Sequence, residues 1–145
     1  MCSLDYYHPW YQDGPHLHKS LGLLLLFIIV LRMINRFLLP ITKPLANHQP
    51  WEKKLAHVVH WVLYAGLFII MISGYFIATS DNRGIDVFSL FTFPVFFEAF
   101  DQQEDIAGFI HEWAAYILMG LVSLHVAGAL KHHFIDKDLT LKRML

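Results

Sequence analysis

The sequence is poor in three things, and each shortage excludes something. It has one cysteine, Cys2, so no disulfide can form within the chain and cysteine usage carries no information about redox compartment. Charged side chains make up only 16% of the residues and leave a formal net charge of -1, with no concentrated basic face, which excludes a nucleic-acid partner. The opening stretch MCSLDYYHPWYQDGP has neither a basic n-region nor an apolar core, so it is not a cleavable signal peptide.

What the chain has in excess is apolar surface. Hydrophobic residues reach 56% and the mean hydropathy is +0.44, values that belong to a membrane protein rather than a soluble domain. Twelve Phe, four Trp and six Tyr exceed what core packing uses, and serve either as interfacial belts or as walls for a flat ligand. Three long apolar segments run over residues 16–39, 55–79 and 106–130. The second has no charged side chain and the third only Glu112. Each matches the roughly 20 residues that cross a hydrocarbon core of about 30 Å, and helices are the form that satisfies the backbone there. The expectation is one all-α membrane domain over residues 1–145 with three transmembrane helices in contact with membrane lipid.

The basic residues orient it. Arg32, Arg36, Lys43, Lys53 and Lys54 surround the first connection, and Lys131, Lys137, Lys142 and Arg143 follow the third span; only Lys19 and Arg83 lie on the other side. The positive-inside rule puts the first connection and the C-terminus in the cytoplasm. The second connection then faces outward with Asp81, Asp86, Glu98, Asp101, Glu104 and Asp105. Within it, residues 87–100 (VFSLFTFPVFFEAF) are too short and too interrupted by Pro94 to span, and read as an interfacial segment with its phenylalanines toward lipid. An outward N-terminus without an export signal leaves two readings: a short N-tail inserted together with the first helix, or, as the favoured expectation, a span missing upstream with Met1 as an internal start.

Histidine is expensive in hydrocarbon unless something holds it. His111 and His125 lie fourteen residues apart, nearly four helical turns, so they share a face about 21 Å apart along the axis. His18 starts the first span at the level of His111. Two imidazoles from facing helices at one depth can hold a haem iron axially between apolar walls, and His125 can hold a second haem at the other leaflet. Small residues around them, including Gly108, Gly120 and Gly128, allow a flat ring close approach. His16, His48, His132 and His133 read as interfacial. His57 and His60 form an H-x-x-H pair with rings on adjacent turns; it is a weak site for a bare metal ion, and structural or propionate contacts are the expectation. Met71, Met119 and Met144 read as packing.

The segments HLHKSLG followed by an apolar run ending in LRMINR, LAHVVHWVLYAGLFIIMISGY, and GFIHEWAAYILMGLVSLHVAGALKHHF resemble the bacterial cytochrome b561 family of small four-helix dihaem membrane cytochromes. The resemblance runs from about His16 to the C-terminus, and the H-E-x12-H spacing of the last helix is its most specific element. It implies that the three spans correspond to helices two to four of the family bundle. It further implies that His18 and His111 are the axial ligands of one b-type haem, and that His125 is one ligand of the other. The partner of His125 in the family stands on the first helix, which this sequence lacks, so one or two haems are expected, with His57 or His60 as substitutes.

The same resemblance implies transmembrane electron transfer in the bacterial inner membrane, linked to quinone such as ubiquinone and in some members to superoxide. His132, seven residues after His125 on the same face, is the candidate quinone contact. A homo-oligomer is compatible with this reading. The competing expectations are a haem-carrying anchor subunit of a larger redox complex, a metal-ion transporter built on His57 and His60, and a truncated remnant without function.

Overall fold

The computed structural model describes residues 10–39, 50–97 and 99–135, apart from the side chains of Gln12, Pro50, Glu52, Lys53 and His132. Cys2, Lys43, His48, Glu98, Lys137, Lys142, Arg143 and Met144 therefore lie outside the described residues, as does the side chain of His132. Among the described residues three helices form, α1 (Trp10–Leu38), α2 (Pro50–Ala78) and α3 (Gln103–Phe134), with a hairpin of β1 (Ile85–Val87) and β2 (Phe91–Phe93) between the last two. All three are long and apolar enough to cross a membrane, over Asp13–Leu38, Lys54–Ala78 and Gln103–Lys131. These bounds fall within three residues of those expected from hydropathy. Helix α1 begins further upstream, because Pro15 stands in its second turn, where it withdraws one N–H without ending the helix.

Burial follows the logic of a lipid solvent. Large apolar side chains such as Phe27, Ile28, Trp61, Ile72, Tyr116 and Leu124 are exposed, whereas among the described residues the deeply buried polar groups are Ser20, Ser73, Thr79 and Gln103. Lipid covers the former; the latter find partners inside the protein.

The chain divides into two compact units. The first combines Met1–Lys43 with Phe68–His111. Here α2 ends as the sequence turns polar: Thr79 Oγ1 donates to Tyr75 O at 2.9 Å, and in the turn that follows Asn82, with a left-handed φ of 57°, donates its N–H to Thr79 O at 3.0 Å. The segment expected to be interfacial opens with an antiparallel hairpin, pairing Ile85 with Phe93, Asp86 with Thr92 and Val87 with Phe91. Alternating IDV and FTF favour strands, and glycine is needed at position 84, where a Cβ would stand 2.6 Å from Phe93 O. Strand β1 lies against α1 and buries Ile85 and Val87. Ser20 Oγ accepts the Phe88 N–H at 3.0 Å, and His16 Nε2 stands 3.2 Å from Asp86 Oδ2.

The rest of this connection folds back on the ends of α2 and α3. The Tyr75 hydroxyl accepts from Phe96 N at 2.7 Å and donates to Pro94 O at 3.3 Å. Gln103 Nε2 donates to Phe76 O at 2.8 Å. Around these bonds Tyr75, Phe76, Phe93, Phe96, Phe97 and Phe100 stack with one another, so part of the phenylalanine content builds a local aromatic cluster.

The second unit combines Pro44–Leu67 with Glu112–Leu145. There Gly66 brings α2 and α3 close: a Cβ at this position would meet Leu118 Cδ1 at 3.2 Å.

Candidate functional site

In the first unit, α1 contributes His18 and α3 contributes His111. Their rings stand with centroids 6.0 Å apart and planes at 83°. The His111 ring is anchored by α2. Its Nδ1 lies 2.9 Å from the Ile70 carbonyl oxygen, which can only accept, so Nδ1 carries the proton and donates it. Nε2 is left with its lone pair, the condition of a neutral imidazole ligand. Ser73 Oγ is 3.2 Å from the same Nδ1 and donates to Ile69 O at 2.8 Å. Gly74 completes the contact, since a Cβ there would meet His111 Cε1 at 3.1 Å and Nδ1 at 3.3 Å.

In the second unit, His60 on α2 and His125 on α3 face each other with ring centroids 5.3 Å apart and planes at 71°. The H-x-x-H pair does not act together, because His57 turns away and accepts the Trp61 indole N–H on its Nε2 at 3.1 Å. His133 packs edge to face on Phe134 at 4.9 Å, with a buried Nδ1 that has no hydrogen-bond partner among the described residues.

These donor sets discriminate between metal chemistries. Among the described residues no group of three or more His, Cys, Asp or Glu could hold a metal ion. A structural zinc site takes four protein ligands; haem iron takes only axial ones, because the macrocycle supplies the rest. Two imidazole bonds of about 2 Å each fit the spacing of the His18 and His111 rings, and the protonated Nδ1 of His111 leaves the correct nitrogen available. At Gly108, Gly120 and Gly128 an added Cβ would meet no other atom of the described residues within 4 Å, so none of these described residues packs against them there. The residues present therefore fit a haem held between histidines.

The sequence-predicted residues thus separate into groups. His18 meets His111, His125 meets His60, and His57 is occupied by Trp61. Sequence reasoning missed the α2 groups behind His111, namely the Ile70 carbonyl, Ser73 and Gly74. The available signal was a hydroxyl followed by glycine, ISGY, inside a span with no charge.

Comparison with known proteins agrees with the arrangement of helices. The chain is 45% identical over 145 residues to cytochrome b561 homolog 2 of Escherichia coli (strain K12), covering 100% of this chain and 77% of that protein. It is 28% identical over 139 residues to a probable superoxide oxidase of Yersinia pestis, covering 96% of this chain and 77% of that protein. The family profile of prokaryotic cytochrome b561 matches residues 1–145. With three membrane-crossing helices and a match along its whole length, the chain belongs to the prokaryotic cytochrome b561 family, a family of membrane electron-transfer proteins.

Proposed function

We propose that the chain binds b-type haem between His18 and His111, binds a second haem through His125 with His60 opposite, and carries single electrons to or from a quinone. The observation that carries this reading is the pairing of His18 with His111 at 6.0 Å with Nδ1 of His111 engaged by a backbone carbonyl. When bound, haem b supplies one-electron chemistry whose potential is set by axial ligands and surroundings. The chain's own contribution is to hold two neutral imidazoles at one depth, to present Nε2 of His111, and to exclude water with apolar helix faces.

The orientation follows from the positive-inside rule: the protein resides in the bacterial inner membrane with its C-terminus in the cytoplasm. His132 is the candidate quinone contact on the cytoplasmic side through its helical spacing from His125. Quinone-linked electron carriage is favoured over superoxide as a substrate. An anionic substrate calls for a positive field at the outer surface, and there Arg83 is paired with Asp81 at 2.8 Å among acidic neighbours, leaving Lys19 beside His18.

The test is a reduced-minus-oxidised visible spectrum of membranes carrying the chain, with pyridine haemochrome quantification of haem per polypeptide. A b-type spectrum with two haems per chain is expected. One haem would remove the His125 site, and absence of haem would overturn the reading.

A further inference from the structure

The cradle behind His111 does more than fix a tautomer. Ser73 is 4% exposed and lies on a span of α2 with no charged side chain. Its single proton has two acceptors on its own helix, Ile69 O at 2.8 Å and Ile70 O at 3.1 Å. The shorter bond takes the proton, which turns a hydroxyl lone pair toward Nδ1 of His111 at 3.2 Å. The Nδ1 proton is thus shared between Ile70 O and Ser73 Oγ, two acceptors on adjacent parts of one turn. Gly74 sets how near the ring comes, because any Cβ would press on Cε1 and Nδ1. Apolar Ile72, Ile106, Ala107, Ile110 and Phe100 line the recess around Ser73, so these bonds act in a low dielectric, where they are strong.

We propose that Ser73 and Gly74 are positioning residues for His111, the hydroxyl adding a second acceptor on Nδ1–H and the glycine admitting the ring, so that together they raise the donor strength of Nε2 toward iron. This rests on the haem reading above. A ligand imidazole whose far N–H is held by acceptors is more basic, and a more basic axial ligand favours the ferric state. Ser73 therefore lowers the potential of the haem held by His18 and His111.

The experiment compares the full chain in membranes with its Ser73→Ala, Ser73→Thr and Gly74→Ala variants. Haem per chain, the midpoint potential and the low-spin EPR signal are measured, with the relevant haem identified as the one lost in His18→Ala. Ser73→Ala is expected to keep its haem and shift the ferric-to-ferrous preference up to about tenfold toward ferrous, a rise of about 59 mV for a one-electron couple; Ser73→Thr, which restores a hydroxyl, returns it toward the parent value. Gly74→Ala is expected to displace the ring and alter the strongly anisotropic EPR signal of near-perpendicular imidazoles. Parent-like potential in Ser73→Ala, or, should that variant fail to accumulate, a parent-like EPR signal in Gly74→Ala, overturns the proposal while leaving haem binding intact. A parent chain without haem overturns the functional reading itself, and the two failures are distinguishable by haem content alone.

Discussion

His60 and His125 face each other across the second unit with ring centroids 5.3 Å apart, whereas His57, one turn before His60, has its Nε2 taken by the Trp61 indole at 3.1 Å. Two histidines that look equivalent in H-x-x-H spacing thus have different fates. The nitrogen that binds metal must offer a lone pair, and on His57 Nε2 that pair already accepts a hydrogen bond. His60→Ala should therefore lower haem content from about two per chain toward one, while His57→Ala leaves it unchanged. Haem quantification on the two purified variants decides this, and a parent-like content in His60→Ala would remove His60 as the partner of His125.

Ser20 ties the connection between α2 and α3 to α1. It is completely buried, accepts the Phe88 N–H at 3.0 Å and sits two residues from His18. Phe88 and Ser89 both hold positive φ, 50° and 57°, a conformation that costs energy in a residue with a side chain and persists because the hairpin is tied to α1. Ser20→Ala removes that tie at a cost of about 1 kcal/mol. The variant should unfold at lower temperature in detergent and should be cut faster by protease within residues 85–93. Unchanged protection of the hairpin would mean that its contacts with Ile85 and Val87 suffice.

Much of this was legible in the sequence, for a physical reason. A span must be apolar over its full length, so Leu55 to Thr79 and Ile106 to Leu130 announce themselves by hydropathy, and a histidine inside such a run stands out because its burial demands a partner. That logic identifies His111 and His125 and brings His18 to the level of His111. It does not identify Ile70, whose contribution is a backbone carbonyl that every residue has, nor Gly74, whose role is an absent Cβ. It does not reveal how residues 87–100 are arranged, because phenylalanines that stack on Tyr75 and Phe76 have the same composition as phenylalanines that face lipid. The choice of His60 over His57 depends on Trp61, four residues on, offering an indole N–H to His57 alone.

The turn that follows α2 should lose protection in acid through Asp81. Asp81 accepts the Arg83 backbone N–H at 3.0 Å, the main cause holding its carboxyl below the ordinary value of 3.8, with the Arg83 side chain adding to it. A depressed carboxyl favours the folded turn while ionised, so its contribution is complete above the ordinary value and is lost as pH falls through the lowered one. Amide exchange in residues 81–84, corrected for intrinsic rate, should be independent of this group from neutral pH down to about 5. Protection should fall below the ordinary carboxylate range, and Asp81→Asn should abolish that acid step. An acid step that survives in Asp81→Asn assigns it to another carboxylate.

A double-mutant cycle on His18 and His111 tests whether they hold one group together. Their rings are 6.0 Å apart, and bound haem stabilises the folded chain through its affinity for the native state alone. Loss of either axial ligand should release most of that stabilisation, so His18→Ala and His111→Ala should each lower the melting temperature of the haem-loaded protein by a similar amount. The double variant should lose little more than either single one, because there is no longer a shared group to lose, and the resulting coupling energy should far exceed that of two histidines in mere edge contact. In preparations stripped of haem the coupling should fall to that of edge contact, with His111→Ala losing only its own contacts with Ile70 and Ser73. Additive losses with haem present would show that each histidine serves a separate purpose, and would break the pair on which the electron-transfer reading stands.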